Sequence, residues 1–150
     1  FSRITLVVKE GSHQPVDEYF QKSCAEAPHS VRGEVVRLPV ELHEQSLAAR
    51  RLAARIIGRH GVVVNYPIPA SVLMTALMKK GAAVPEQVEV VAINTTLQAI
   101  RTVPVPAYYP FPVQQFARVV CQAAIHYFEQ GALPPLRKTI PLKLLSPKVI

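Results

Sequence analysis

At 150 residues the chain has room for one domain or a piece of a larger one, and an apolar fraction of 49% with a mean hydropathy of +0.19 is enough for a sizeable core. No run of about 18 or more uncharged apolar residues occurs, which argues against a membrane span. The net charge of +7 invites a nucleic-acid reading, but the basic residues fall in two groups with no groove-reading motif: Arg50, Arg51, Arg55, Arg59 and His60 on one helix, and Arg137, Lys138, Lys143 and Lys148 near the end. No aromatic residues interleave with the first group, so it reads as a solvated helix face.

Ile4–Val8 is an apolar run of the kind buried on both faces of a sheet. A polar loop follows over Lys9–Gln14, with Gly11 inside it. A helix opens at about Pro15: proline suits the first turn, and Asp17 and Glu18 suit the positive end of the helix dipole. Tyr19, Phe20 and Cys24 follow at helical spacing, and Pro28 ends the element. Glu34–Leu38 is a second strand. A helix from about Glu44 to Arg59 carries Leu47, Ala48, Leu52, Ile56 and Ile57 as its core stripe, with the arginines outward.

Gly61–Val64 is a short β-branched strand, broken by Asn65-Tyr66-Pro67. Ala70–Lys80 places Val72, Leu73, Ala76 and Leu77 on one face, ends in Lys79 and Lys80, and stops at Gly81. Val88–Ile93 is the next strand, entered through Pro85. Such a crossover sets Asn65 and Asn94 at the carboxyl ends of two strands of one sheet, where open α/β sheets bind ligands. The alternation predicts an α/β fold: a mostly parallel sheet with helices on both faces. Beyond Asn94, Pro104, Pro106, Pro110 and Pro112 exclude a central strand and read as an extended crossing. Phe116–Phe128 is a long helix, apolar almost all round and ended by Gly131, which needs partners on more than one side.

Cys24 and Cys121 lie far apart, outside any metal or redox spacing, and read as two reduced, buried thiols. The five histidines form no metal-binding cluster, and Ser12, His13 and Asp17 read as loop chemistry rather than a catalytic set. No phosphate-cradling or nucleophile-elbow motif appears, so no enzyme and no cofactor is indicated. The chain opens on Phe1 with no charged-then-apolar leader, which suits a fragment or a processed product.

The ordered set from Gly61 to Asn94 resembles the effector-binding domain of lactose-repressor-type (LacI/GalR) transcription regulators: strand, Asn, helix ending in Gly, Val-Pro-Glu-x-Val, strand. Arg101–Pro112 looks like that family's proline-containing crossover, Val113–Gln130 like its penultimate helix, and Lys138–Leu145 like its closing strand; the segments upstream of 61 fit more loosely. The resemblance implies the C-terminal half of a two-lobed, periplasmic-binding-protein-like type I domain, with the N-terminal lobe and the DNA-binding head absent from this chain. It implies a small-molecule effector, a sugar or sugar derivative, held between lobes. It further implies a homodimer paired in part through the helix matching Ala70–Lys80, DNA contact only through the head, no membrane, and a cytoplasmic location.

The same resemblance marks four effector-contact positions. Asn65 matches the family's strand-end Asn, though Tyr66 stands where Asp usually follows; the amide serves equally as a ligand contact or as a partner for turn backbone. Asn94 stands where sugar- and purine-binding members commonly carry Asp, which puts the usual ligand class in question. Tyr19 falls near an effector-contacting Arg, and serves equally as a stacking surface or as core. Phe111 matches a cleft-facing position on the crossover. A periplasmic or transporter-linked sugar-binding protein of the same fold is the alternative reading.

Overall fold

Four strand-forming runs, three of them apolar and β-branched, alternate with helices along the first two-thirds of the chain, and each becomes a parallel strand. The computed structural model describes residues 1–12, 15–93, 102–133 and 140–144. Its elements are β1 (Arg3–Lys9), α1 (Pro15–Ala25), β2 (Arg32–Leu38), α2 (Leu42–Arg55), β3 (His60–Asn65), α3 (Pro67–Lys80), β4 (Val88–Ile93), β5 (Ala107–Tyr109) and α4 (Val113–Gln130). The strands form one sheet in the order β2-β1-β3-β4-β5, every pairing parallel.

The register sorts side chains between two faces, because successive residues of a strand point opposite ways. Val7 pairs with Val64, Val64 with Ala92, and Ala92 with Tyr108, so these four share one face. They join Val62, Val88 and Val90 in the main core under α2 and α3, whose Leu52, Ala53, Leu73, Met74 and Leu77 are buried against them. The opposite face carries Leu6 and Gly33. A methyl group added at Gly33 would meet Cys24 Sγ at 2.8 Å and Phe20 Cε1 at 3.0 Å, which places α1 tightly over that side. Helices therefore cover both faces, as the alternation predicts.

Gly81 ends α3 as expected. Its φ of 79° is left-handed, and its N–H donates to the Met78 carbonyl at 2.9 Å while the Ala82 N–H donates to the Leu77 carbonyl at 3.1 Å. A residue without Cβ takes this cap at least cost.

Several expectations are corrected. The second helix stops at Arg55 rather than Arg59, because Ile56 is already extended and Gly58 turns at a φ of 72°. His60 therefore begins β3 and does not belong to a helical basic cluster. The buried stripe of α2 is Gln45, Ala49, Leu52 and Ala53, with Ile56 buried just past its end, while Leu47 and Ile57 are exposed. Small alanines face inward because α2 lies directly beside α3, and close helix approach favours small side chains over bulky ones. Tyr19 is 72% exposed and is not core. The proline-rich crossing contains a three-residue strand, β5, at the sheet edge, where prolines are tolerated. Residues 140–144 of the expected closing strand form no strand; the rest of it lies outside the described residues.

The long helix is present as α4, and none of its residues is buried, so Cys121 is exposed rather than the buried thiol expected, while Cys24 on α1 is buried. Phe116, Val120, Ile125, Tyr127 and Phe128 are all exposed. Among the described residues no helix is long and apolar enough to cross a membrane.

Candidate functional site

In a doubly wound sheet the order of strands reverses once, and the connections on either side of that point leave in opposite directions. Here the reversal falls between β1 and β3: the chain moves left from β1 to β2, then right to β3, β4 and β5. At the carboxyl ends of β1 and β3 the structure holds an open crevice of about 800 Å³. One wall is the end of β1 and its turn, from Val8 to Ser12; the other is the β3–α3 connection, from Asn65 to Pro69. Pro15 and Val16 close it from α1, Val40 from the β2–α2 connection and Gln45 from the first turn of α2.

Each wall has a local cause. The Ser12 N–H donates to the Lys9 carbonyl at 3.1 Å, and Gly11 sits at a φ of 78°, so the chain turns sharply as it leaves β1. The Glu10 N–H reaches the Leu38 carbonyl at 2.9 Å and ties this turn to β2. On the far wall, the Tyr66 N–H donates to the Ile93 carbonyl at 3.0 Å, which anchors the β3–α3 connection to β4. Tyr66 itself has φ 78° and ψ 151°, a region that is almost exclusive to glycine and costs a side-chain-bearing residue roughly 1–3 kcal/mol. Pro67 and Pro69 restrict the following turn, so the backbone here is held stiffly. Strain of this kind collects where a protein binds ligands.

Two carboxamides reach this crevice. Asn65, the last residue of β3, is 7% exposed. Gln45 donates from Nε2 to the Pro39 carbonyl at 3.0 Å, and its Oε1 is buried without a partner among the described residues. A buried acceptor left unsatisfied costs about 1–3 kcal/mol. The lining has no dominant charge: Lys9 and Glu10 stand side by side on one wall. Such a site suits a neutral, hydroxyl-rich small molecule.

Of the residues marked in the sequence, the structure brings Asn65 to this crevice. Tyr19 stands exposed on α1, whose Pro15 and Val16 reach the crevice instead. Phe111 is 43% exposed and packs on Phe116, ring centroids 5.3 Å apart, away from the lining residues. Asn94 lies outside the described residues. Sequence reasoning missed Gln45, Tyr66 and the turn after β1. The turn had a usable signal, since Gly11 in a polar loop directly after a first buried strand marks the switch point of this fold class. Gln45 had none, because it lies on a stripe that looks apolar only when its bulkier neighbours are chosen. Among the described residues no three His, Cys, Asp or Glu side chains gather as metal ligands.

A parallel α/β sheet with a crevice at its switch point defines a ligand-binding α/β domain, and comparison with known proteins makes the class specific. The chain belongs to the periplasmic binding protein-like domain family, whose model matches residues 1–146. A search of curated proteins returned no match. Solved structures share the fold at low identity. A LacI family transcriptional regulator from Mycobacterium smegmatis has 23% identity and a TM-score of 0.72 over 97% of this chain and 56% of its own. One from Arthrobacter sp. FB24, in complex with lactose, has 12% identity and a TM-score of 0.79 over the same shares. A periplasmic binding protein/LacI transcriptional regulator from Alkaliphilus metalliredigens, complexed with D-xylulofuranose, has 14% identity and a TM-score of 0.70 over 97% of this chain and 55% of its own. The chain thus spans little more than half the length of the structures it resembles.

Proposed function

We propose that this chain is the C-terminal portion of the effector-binding domain of a LacI-type transcriptional regulator, and that its carboxyl-edge crevice takes part of a small hydroxyl-rich effector, a sugar or sugar derivative. The observation that carries the reading is the switch-point crevice, with Asn65 and Gln45 among its lining residues. Two further facts support it. The chain covers just over half of each related structure, as one half of a two-lobed domain would. The apolar helix α4 has no buried residue, which suits a surface made to be covered by the remainder of such a domain. A ligand that binds open and closed lobes with different affinity would shift their balance, and so the geometry of attached DNA-binding heads in a dimer. The regulator reading is preferred to a transporter-linked sugar-binding protein, because the related solved structures are described as transcriptional regulators.

The test is calorimetry on the full-length protein with a panel of neutral sugars and sugar phosphates. Asn65→Ala is expected to weaken the binding of the best ligand about tenfold or more, equivalent to one lost polar contact. Asn94→Asp is expected to weaken an anionic ligand and spare a neutral one. If a ligand binds and neither substitution alters its affinity, the strand-end site is wrong.

A further inference from the structure

A second hollow lies at the opposite, amino-terminal edge of the sheet, remote from the crevice. It encloses about 380 Å³ and is lined on its rim by Arg3, Arg32, Arg55 and His60. Leu52 and Ile56 give it an apolar floor. Register explains how the charges meet. Arg3 and Arg32 are direct partners across β1 and β2, so both project from the face that α2 covers. Like charges directly opposite one another on adjacent strands destabilise a sheet. The carboxylate in the lining, Glu34, is already engaged by Arg55. Neither Arg3 nor Arg32 has an ion-pair partner among the described residues.

The second observation is His60. Its Nε2 lies 2.8 Å from the Thr5 hydroxyl, while its Nδ1 is buried with no partner among the described residues. Burial, reinforced by the charge of Arg3, holds the imidazole below its ordinary value, so it is neutral near pH 7. When the Thr5 hydroxyl donates to Nε2, the proton of the neutral ring sits on Nδ1, a buried donor in the wall of the hollow. Two arginines without an ion-pair partner among the described residues stand over a small apolar floor, and the one carboxylate in the lining, Glu34, is engaged by Arg55.

We propose that this amino-edge hollow binds a small oxyanion, a phosphate or carboxylate group, between the guanidinium groups of Arg3 and Arg32. Guanidinium forks match such anions with paired hydrogen bonds. The small size of the hollow and its apolar floor favour a small metabolite over a polymer, whose backbone needs an extended track. The site is separate from the crevice, and its occupation relieves the repulsion between β1 and β2.

The experiment titrates the full chain with sodium phosphate, and separately with sodium succinate, against sodium chloride at matched ionic strength. Melting temperature and the NMR signals of the His60 ring are followed together. A saturable response to phosphate, succinate or both, beyond that of chloride, is expected, and the arm that responds names the class of anion. Arg3→Gln and Arg32→Gln, alone and combined, are expected to weaken the midpoint about tenfold or more. Both side chains are exposed, so these variants keep the fold, which far-UV circular dichroism checks. Asn65→Ala is expected to leave the response unchanged, which separates this site from the effector crevice. A response equal to that of chloride, one retained in the double variant, or one abolished by Asn65→Ala overturns the proposal.

Discussion

Lys80 Nζ lies 2.8 Å from the carbonyl oxygen of Ala53, so the last turn of α3 caps the last turn of α2. The same ammonium group donates to the Ile56 carbonyl, and Ala54 is within reach. The final carbonyls of a helix have no partner within it and carry the negative end of its dipole. One lysine therefore satisfies groups that a longer helix would have used itself, and α2 can end at Arg55.

Lys80→Met is expected to lower stability by about 1–2 kcal/mol, since it removes charged hydrogen bonds and keeps the aliphatic stem. Lys79→Met, on the neighbouring exposed position, should change stability by no more than about 0.5 kcal/mol. Urea unfolding of both variants is the measurement, and equal losses would mean that the cap contributes nothing particular.

The close approach of α1 to β2 makes a second prediction. Gly33→Ala puts a methyl group against Cys24 Sγ and Phe20, and overpacking of this kind costs about 1–3 kcal/mol. Removing the sulfur with Cys24→Ala should soften that loss. A double-mutant cycle is expected to show a coupling of about 0.5 kcal/mol or more between the two positions. Strict additivity would place α1 further from the sheet.

Tyr66 supplies a test of backbone strain. Tyr66→Gly removes the steric cost of the φ of 78° but adds flexibility to the unfolded chain, for a net gain of about 1 kcal/mol. Tyr66→Ala keeps the Cβ and so should give no such gain. If thermal unfolding shows glycine and alanine to be equivalent, the strain is not stored there.

The buried His60 sets a pH dependence. Its folded-state value lies below the ordinary 6.5, so the unfolded chain binds the extra proton first. Stability from this group is fully present above 6.5 and is lost as pH falls from there toward the lowered folded value. Burial first, and Arg3 with it, oppose the charged ring and together outweigh Glu34, which favours it. Urea midpoints are expected to drop between about pH 7.5 and about pH 5.5, and His60→Gln should shrink that drop, because the glutamine amide can still hydrogen-bond Thr5 and does not titrate. An unchanged drop in the variant would assign the acid sensitivity elsewhere.

Much of the architecture was legible in the order of residues. The runs Ile4–Val8, Gly61–Val64 and Val88–Ile93 are apolar, β-branched and short, and chemistry of that kind belongs in buried parallel strands wherever the chain goes next. Pro15 and Gly81 mark the start of α1 and the end of α3 through constraints on a single φ angle, which need no distant partner. The carboxyl-edge position of Asn65 followed from the same local logic, because a residue that ends a strand before a helix has little choice of place.

What the tertiary structure alone decided depends on neighbours far away in the chain. Local hydrophobicity put Leu47 and Ile57 in the core of α2; contact with α3 chose Ala49 and Ala53 and drew in Gln45. Pattern made Arg55, Arg59 and His60 one helical face; Gly58 and Lys80 ended the helix, and the pairing of β1 with β3 set His60 beside Thr5. Arg3 and Arg32 lie far apart in sequence and meet only through strand register. Periodicity reports which side of an element is apolar, but packing distance selects which of two adjacent stripes is buried, and register selects which charges are forced together. Both are properties of pairs of elements, and neither is written in the residues of one element alone.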